Sequence, residues 1–264
     1  MNFGLIIIGD EILSGKRQDQ HLHKVIELLA ARGLALSWAR YVGDDRERIT
    51  AALKEAFAGG DIVFSCGGIG ATPDDHTRQC AAAALELPLK LHEGAKALIL
   101  ERMQNVAREQ GLSFEPERED NVHRLNMGVF PEGAELVPNP YNKIPGFSVG
   151  TVFFVPGFPV MAHPMIEWVL DERFGGLHGA HRQAERSVIV LGSMEATLTP
   201  LMEAVESRFP KVRVFSLPSV DHPQWGRHIE LGVKGDAEQV ATAYQMLRDG
   251  LAQAGAQCGS EMVR

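Results

Sequence analysis

The sequence predicts an α/β protein: a three-layer sandwich around a mostly parallel sheet, followed by a small α+β domain. Three observations predict it. Runs such as Leu5 to Ile8 and Ile62 to Cys66 are short, largely β-branched and apolar, as strands buried on both faces are. Amphipathic stretches of helical spacing alternate with them, an order that places helices on both faces of a parallel sheet. Beyond a glycine cluster at Gly175 to Gly179 the order changes to strand, helix, two strands and helix.

Leu5 to Ile8 ends at Gly9-Asp10-Glu11 and reads as a central strand. A polar turn through Ser14-Gly15-Lys16 leads to Leu22, Val25, Ile26, Leu28 and Leu29, a helix that Gly33 stops. Leu34 to Val42 supplies the second strand. Asp44 or Asp45 can cap a helix carrying Ile49, Ala52, Leu53 and Phe57, which Gly59-Gly60 ends, and Asp61 to Cys66 is the third strand. Gly67-Gly68-Ile69-Gly70 follows, and Asp74 and Asp75 sit where the helix containing Cys80 to Leu85 begins, at its favourable dipole end. Glu93 to Gln110 is spaced as a longer helix, Ser113 to Asp120 as a charged loop and Asn121 to Met127 as a short turn. Ala134 to Val137 and Ser148 to Val155 read as strands, and Pro156-Gly157-Phe158-Pro159 turns the chain into a helix over Met161 to Phe174.

Glycine clusters cost most to order, so Gly175 to Gly179 is the expected linker between a domain over 1–176 and a small domain over 185–253. The small domain should hold a strand (Ser187 to Leu191), a helix (Ala196 to Phe209), strands Val212 to Leu217 and Gly226 to Val233, and a helix (Ala237 to Leu251).

With 264 residues, 45% hydrophobic and 23% charged, the chain can bury one large and one small core, which excludes disorder, collagen and a disulfide scaffold. The net charge of −8 repels phosphate backbones, so no nucleic-acid partner is expected, and a bound phosphate must be held locally by backbone amides or a metal. Cys66, Cys80 and Cys258 form no C-x-x-C pair and imply a reducing compartment. The opening apolar run is too short for a signal sequence or a membrane span, so a cytoplasmic protein is expected.

Ligands of an open parallel sheet bind where strands end, so the loops after the first three strands converge on one crevice. Those loops carry Asp10, Glu11, Ser14, Gly15 and Lys16; Asp44 and Asp45; and Gly67, Gly68, Gly70, Thr72, Asp74, Asp75 and Thr77. Glycines bring backbone N–H groups against an anion, so the third loop reads as a phosphate cradle, although such a loop alone is often a tight turn. Carboxylates at Asp10, Glu11, Asp44 and Asp75 would repel that phosphate, which calls for a divalent cation such as Mg²⁺, with Lys16 neutralising part of the rest. Each acid alone is explained as a helix cap; Asp10-Glu11 closing a buried strand beside two other acidic loops is not. His21-x-His23 lacks zinc-helix spacing and reads as solvent-exposed. Cys66 reads as packing, Met161, Met165, Trp168 and Val169 as core, and Gly232-Val233-Lys234-Gly235 as a turn. No nucleophile elbow of an α/β-hydrolase is expected.

Gly9-Asp10-Glu11-Ile12-Leu13-Ser14-Gly15, Val42-Gly43-Asp44-Asp45 and Gly67 through Thr77 together resemble the CinA-type branch of the molybdopterin-binding (MoaB/Mog-like) domains. Asn126, Pro131 to Ala134, Pro145-Gly146 and Pro156-Gly157-Phe158-Pro159 extend the likeness to about residue 170. The resemblance implies a nucleotide- or pterin-phosphate site, with Asp10, Asp44 and Asp75 holding a catalytic metal (Mg²⁺, Mn²⁺ or Co²⁺) and the glycine loop, with Pro156 and Gly157, around the ligand. It implies metal-dependent cleavage of a diphosphate such as ADP-ribose, or molybdopterin binding and adenylylation, in a homodimer or other homo-oligomer. The small domain looks KH-like, which leaves a non-catalytic nucleic-acid-binding module as a third reading that the charge opposes. Ala71 stands where the family usually has proline, and His21 where Asp-x-Asn is common. The amidase domain of longer CinA proteins is expected to be absent, so that activity is not carried over.

Overall fold

The computed structural model describes residues 2–179 and 183–263. They form two compact units, Met1–His178 and Gly179–Arg264. In chain order the first contains β1 (Phe3–Ile8), α1 (Asp10–Leu13), α2 (His21–Ala30), β2 (Leu36–Val42), α3 (Arg46–Gly59), β3 (Ile62–Cys66), α4 (Thr77–Leu85), β4 (Leu89–Leu91), α5 (Glu93–Glu109), α6 (Glu119–Leu125), β5 (Val129–Pro131), β6 (Glu135–Val137), β7 (Gly146–Val149), β8 (Val152–Val155) and α7 (Pro159–Phe174). The second contains β9 (Gln183–Leu191), α8 (Glu195–Arg208), β10 (Val212–His222), β11 (Gly226–Asp236), α9 (Ala237–Gln253) and β12 (Gln257–Val263).

The main sheet runs β2-β1-β3-β8-β7-β6. β2, β1, β3 and β8 are parallel, and β7 is antiparallel to both of its neighbours. β1 is buried at every position because each face meets a helical layer. Ile6 and Ile8 join Ile49 and Leu53 of α3 and Ala81 of α4 in one core, while Phe3, Leu5 and Ile7 join Val25 and Leu29 of α2 and Ile166 of α7 in the other. This is the three-layer α/β sandwich expected from the uninterrupted apolar runs. In the first core Phe147 stacks between Phe130 and Phe154, with centroids 4.6 and 4.3 Å away.

The span Ser148 to Val155 is not one strand. Gly150 takes a φ of 58° and, with Thr151, folds it into the β7–β8 hairpin, a reversal that the Gly-Thr pair marks and that reading the span as one strand passes over. The expected turn over Asn121 to Met127 is instead α6 followed by a single 3₁₀ turn. β4 and β5 pair as a two-stranded sheet too short to show a period.

In the second unit the antiparallel sheet runs β10-β11-β9-β12, and Val188, Val190, Leu231 and Val233 pack against Leu198 and Val205 of α8 and Val240, Tyr244 and Leu247 of α9. Gly232 to Gly235 is no turn: it lies within β11, paired with both β10 and β9. β12 was not foreseen, because an edge strand exposed along most of its length carries little apolar pattern. Among the described residues no helix is long and apolar enough to cross a membrane.

Candidate functional site

Four loops meet beyond the carboxyl ends of β1, β2, β3 and β8, where an open parallel sheet presents its ligand crevice. Three of them, after β1, β3 and β8, border a cavity of about 500 Å³; Asp10 and the loop after β2 with Asp44 do not line it and lie beside Glu11. Glu11 and Arg17 line it from the first loop, Gly68, Gly70, Thr72, Asp74 and Asp75 from the third, and Pro156, Gly157 and Phe158 from the loop after β8. Asn139, Asn142 and Met161 complete the far wall.

The third loop needs its glycines. Gly67 has φ 108° and a Cβ there would collide with the Ile8 carbonyl; Gly68 has φ 69° and a Cβ there would collide with the Thr77 hydroxyl. Thr77 props the loop from below, its amide donating to the Gly68 carbonyl and its hydroxyl to the Gly67 carbonyl, both at 3.0 Å. It is fully buried and does not line the cavity, where a ligand contact was expected of it. The amides of Gly68, Ile69, Gly70 and Ala71 donate to no acceptor among the described residues.

Asp45, not Asp44, caps α3, accepting from the Arg48 amide at 2.9 Å. That frees Asp44 for Asp10: the Asp10 amide donates to Asp44 Oδ2 at 2.9 Å and the Asp44 amide donates to Asp10 Oδ1 at 3.2 Å. Gly43 permits the pairing, since a Cβ there would lie 2.5 Å from Asp10 Oδ1. Burial pushes the Asp44 carboxyl above its ordinary range, the Asp10 amide opposes this, and the charges of Asp10, Glu11 and Asp74 add to it. The acids of three loops therefore do crowd one another. Asp75 is placed otherwise. It is not a cap, because α4 starts after His76; its Oδ2 accepts from the Thr72 amide at 2.9 Å and the Thr72 hydroxyl at 2.6 Å, fastening the loop.

Among the described residues no three His, Cys, Asp or Glu side chains form a ready-made metal cage, so Asp10, Asp44 and Asp75 are not gathered into one. The donor set nevertheless fits a hard cation carried in with phosphates, which needs only one or two carboxylates. Asp10 and Asp44 each keep one oxygen that accepts from neither backbone partner, at a point where negative charge is already crowded.

Ser14, Gly15 and Lys16 lie in an exposed turn that does not line the cavity; Arg17, one residue on, is the sole cation among the described lining residues. Nothing in the local pattern separates Lys16 from Arg17. Arg78 was also missed: it is 3% exposed beneath the loop and donates to the Ile69 carbonyl, with its guanidinium drawn below its ordinary range by burial and Asp75 acting the other way. His23 is exposed as expected, but His21 is buried, because α2 turns it toward α7 under Gly157. Met161 lines the cavity, while Met165 and Val169 are core. Cys66 is buried with its thiol pushed up by burial, which suits packing and not nucleophilic attack. Gly146-Phe147-Ser148-Val149-Gly150 has the G-x-S-x-G spacing, yet it forms β7 and its turn with Ser148 buried, so it is no nucleophile elbow.

A family of probable molybdopterin binding domains matches residues 4–175, and the chain belongs to that family. A CinA-like protein of Anaeromyxobacter dehalogenans is 35% identical over 64% of this chain and 40% of its own length. One from Geobacter metallireducens is 29% identical across all of this chain and 61% of its own length. The chain thus spans about two fifths to three fifths of these relatives. A solved structure of a CinA protein of unknown function from Thermoplasma acidophilum superposes with a TM-score of 0.55, at 26% identity, over 65% of this chain and 98% of that one.

Proposed function

We propose that the first unit binds a phosphorylated nucleotide or pterin and cleaves a nucleoside diphosphate such as ADP-ribose with the help of a divalent metal. The unengaged amides from Gly68 to Ala71, in a loop that lines the cavity together with Glu11 and Asp74 of the crowded acids, carry this reading. Such amides hold phosphate oxygens without a full positive charge, and Arg17 supplies one across the cavity. Asp10 and Asp44 would hold the metal together with the ligand's own phosphates, and Asp75 keeps the cradle in shape through Thr72. When bound, the metal supplies polarisation of the phosphoryl oxygens and a more acidic water. Asn139, Asn142 and Met161 shape the end of the cavity away from the glycine loop, which suits the nucleoside or pterin.

The test is AMP release from ADP-ribose and FAD with Mg²⁺, Mn²⁺ or Co²⁺. Turnover of one of them is expected, and none under all three metals rejects cleavage. The family match favours a second reading, molybdopterin binding or adenylyl transfer in the same loops. An adenylylated product from ATP and molybdopterin, without ADP-ribose cleavage, would put that reading first. The second unit we read as KH-like from its order of elements alone; titration with single-stranded RNA at low salt should show no saturable binding, given the acidic chain.

A further inference from the structure

His21 is 4% exposed, and its Nε2 lies 3.1 Å from the Gly157 carbonyl oxygen. A carbonyl only accepts, so Nε2 carries the proton and the neutral ring leaves Nδ1 bare. Nδ1 has no hydrogen-bond partner among the described residues. His163 of α7 packs edge-on against it, with centroids 5.3 Å apart and planes at 87°. The buried Nε2 of that second ring also lacks a partner among the described residues. Asp19 locks the entry to α2 beside the pair, accepting from the His21 and Leu22 amides and from the Tyr41 hydroxyl. A proton added to His21 Nδ1 would find no acceptor, and burial holds both rings below their ordinary range despite the nearby Asp19 charge.

The carbonyl that His21 grips belongs to the cavity wall. Gly157 lines the cavity, and a Cβ on it would lie 3.4 Å from the Gly67 Cα, so this wall and the glycine loop are in close contact. The Gly67 amide donates to the Val155 carbonyl at 3.0 Å on one side of the wall, and the Ala162 amide donates to the Phe158 carbonyl at 2.8 Å on the other.

We propose that His21 is a positioning residue of the ligand cavity: wedged against His163 as a neutral Nε2–H donor, it fixes the Gly157 carbonyl and so holds the Pro156–Phe158 wall against the glycine loop. This rests on the cavity being the ligand site proposed above.

Two variants separate the hydrogen bond from mere filling of space. His21→Gln keeps a side-chain N–H that can reach the Gly157 carbonyl, whereas His21→Leu fills the site without a donor. Nitrogen NMR of the ligand-free wild type should show the Nε2–H tautomer at neutral pH. Amide exchange at Gly67 and Ala162 should rise at least about tenfold in His21→Leu and stay near wild type in His21→Gln. With ADP-ribose and Mg²⁺ as the probe, His21→Leu should raise KM about tenfold and leave kcat within about twofold, the pattern of lost ground-state binding. An Nδ1–H or charged ring in the wild type overturns the proposal even if His21→Leu fails to fold. So does a Gln variant as loose as the Leu variant, or a Leu variant with unchanged exchange. Wild-type protein that turns over no ADP-ribose would reject cleavage, while the tautomer and exchange readouts, taken without ligand, still decide the role of His21.

Discussion

Asp44→Asn removes one charge and keeps the hydrogen bond that ties the loop after β2 to α1, since an amide oxygen can still accept from the Asp10 amide. That acceptor is charged in the wild type. Hydrogen bonds to charged groups are worth about 1.5–3 kcal/mol against about 0.5–1.5 for neutral ones, so the exchange forfeits about 1 kcal/mol. Relief of crowding opposes this loss. Burial, then the charges of Asp10, Glu11 and Asp74, raise the Asp44 carboxyl above its ordinary range, so ionising it in the folded protein is destabilising. The stabilisation a raised carboxyl gives is complete below its unfolded value of about 3.9 and is lost as pH rises through the folded value. At neutral pH the two effects offset, and with about 2–4 °C per kcal/mol the melting temperature should move by no more than about 4 °C. Catalysis should respond on another scale. A positioned metal stabilises the transition state by several kcal/mol and each ~1.4 kcal/mol is tenfold in rate, so AMP release should fall at least about a hundredfold. Mn²⁺ should also raise the melting temperature of the wild type and not of the variant. A variant that keeps more than about a tenth of the wild-type rate refutes the metal role of Asp44.

Gly68→Ala forces a Cβ onto the Thr77 hydroxyl at φ 69°, and should cost about 1–2 kcal/mol in a urea melt while weakening nucleotide binding more than tenfold by calorimetry. Phe147→Ala empties the centre of the Phe130–Phe147–Phe154 stack and should cost about 3–5 kcal/mol, a drop of roughly 10 °C or more by calorimetry. Because burial holds His21 and His163 below the ordinary histidine value of 6.5, the unfolded chain takes up protons there that the folded one refuses. Stability from the pair is thus full above that value and lost as pH falls below it, and a double change to glutamine should flatten the melting profile across that range. Arg17→Met should raise KM for ADP-ribose about tenfold and reduce its salt dependence, with the melting temperature unchanged, because the side chain is exposed and pairs with no carboxylate among the described residues.

What the sequence determined by itself is what neighbouring residues encode. Leu5 to Ile8 and Ile62 to Cys66 are legible as doubly buried strands because burial on both faces leaves no charged position and, apart from Ser65, no polar one, and Gly60 is legible as a stop because only glycine sits easily at φ 69° after α3. The acidic and glycine-rich loops were legible for the same reason: their composition opposes helix and strand alike. The edge strand β12 was not, since it is exposed along most of its length and carries little apolar pattern, and the hairpin at Gly150 was passed over although Gly150-Thr151 interrupts the apolar residues there.

Tertiary structure alone decided which side chains meet. Asp10 and Asp44 are 34 residues apart and pair only because β1 and β2 lie side by side with Ile8 opposite Val42. The choice of Asp45 as cap and of Arg17 over Lys16 in the cavity each depends on a rotation or a docking of about one residue. Local pattern specifies periodicity, whereas the direction of a single side chain is set by packing against elements remote in sequence. His21 shows both: standing four, seven and eight positions before Val25, Leu28 and Leu29, it falls on the buried stripe of α2 by helical spacing, whereas its partners Gly157 and His163, 136 and 142 positions away, come only from the fold.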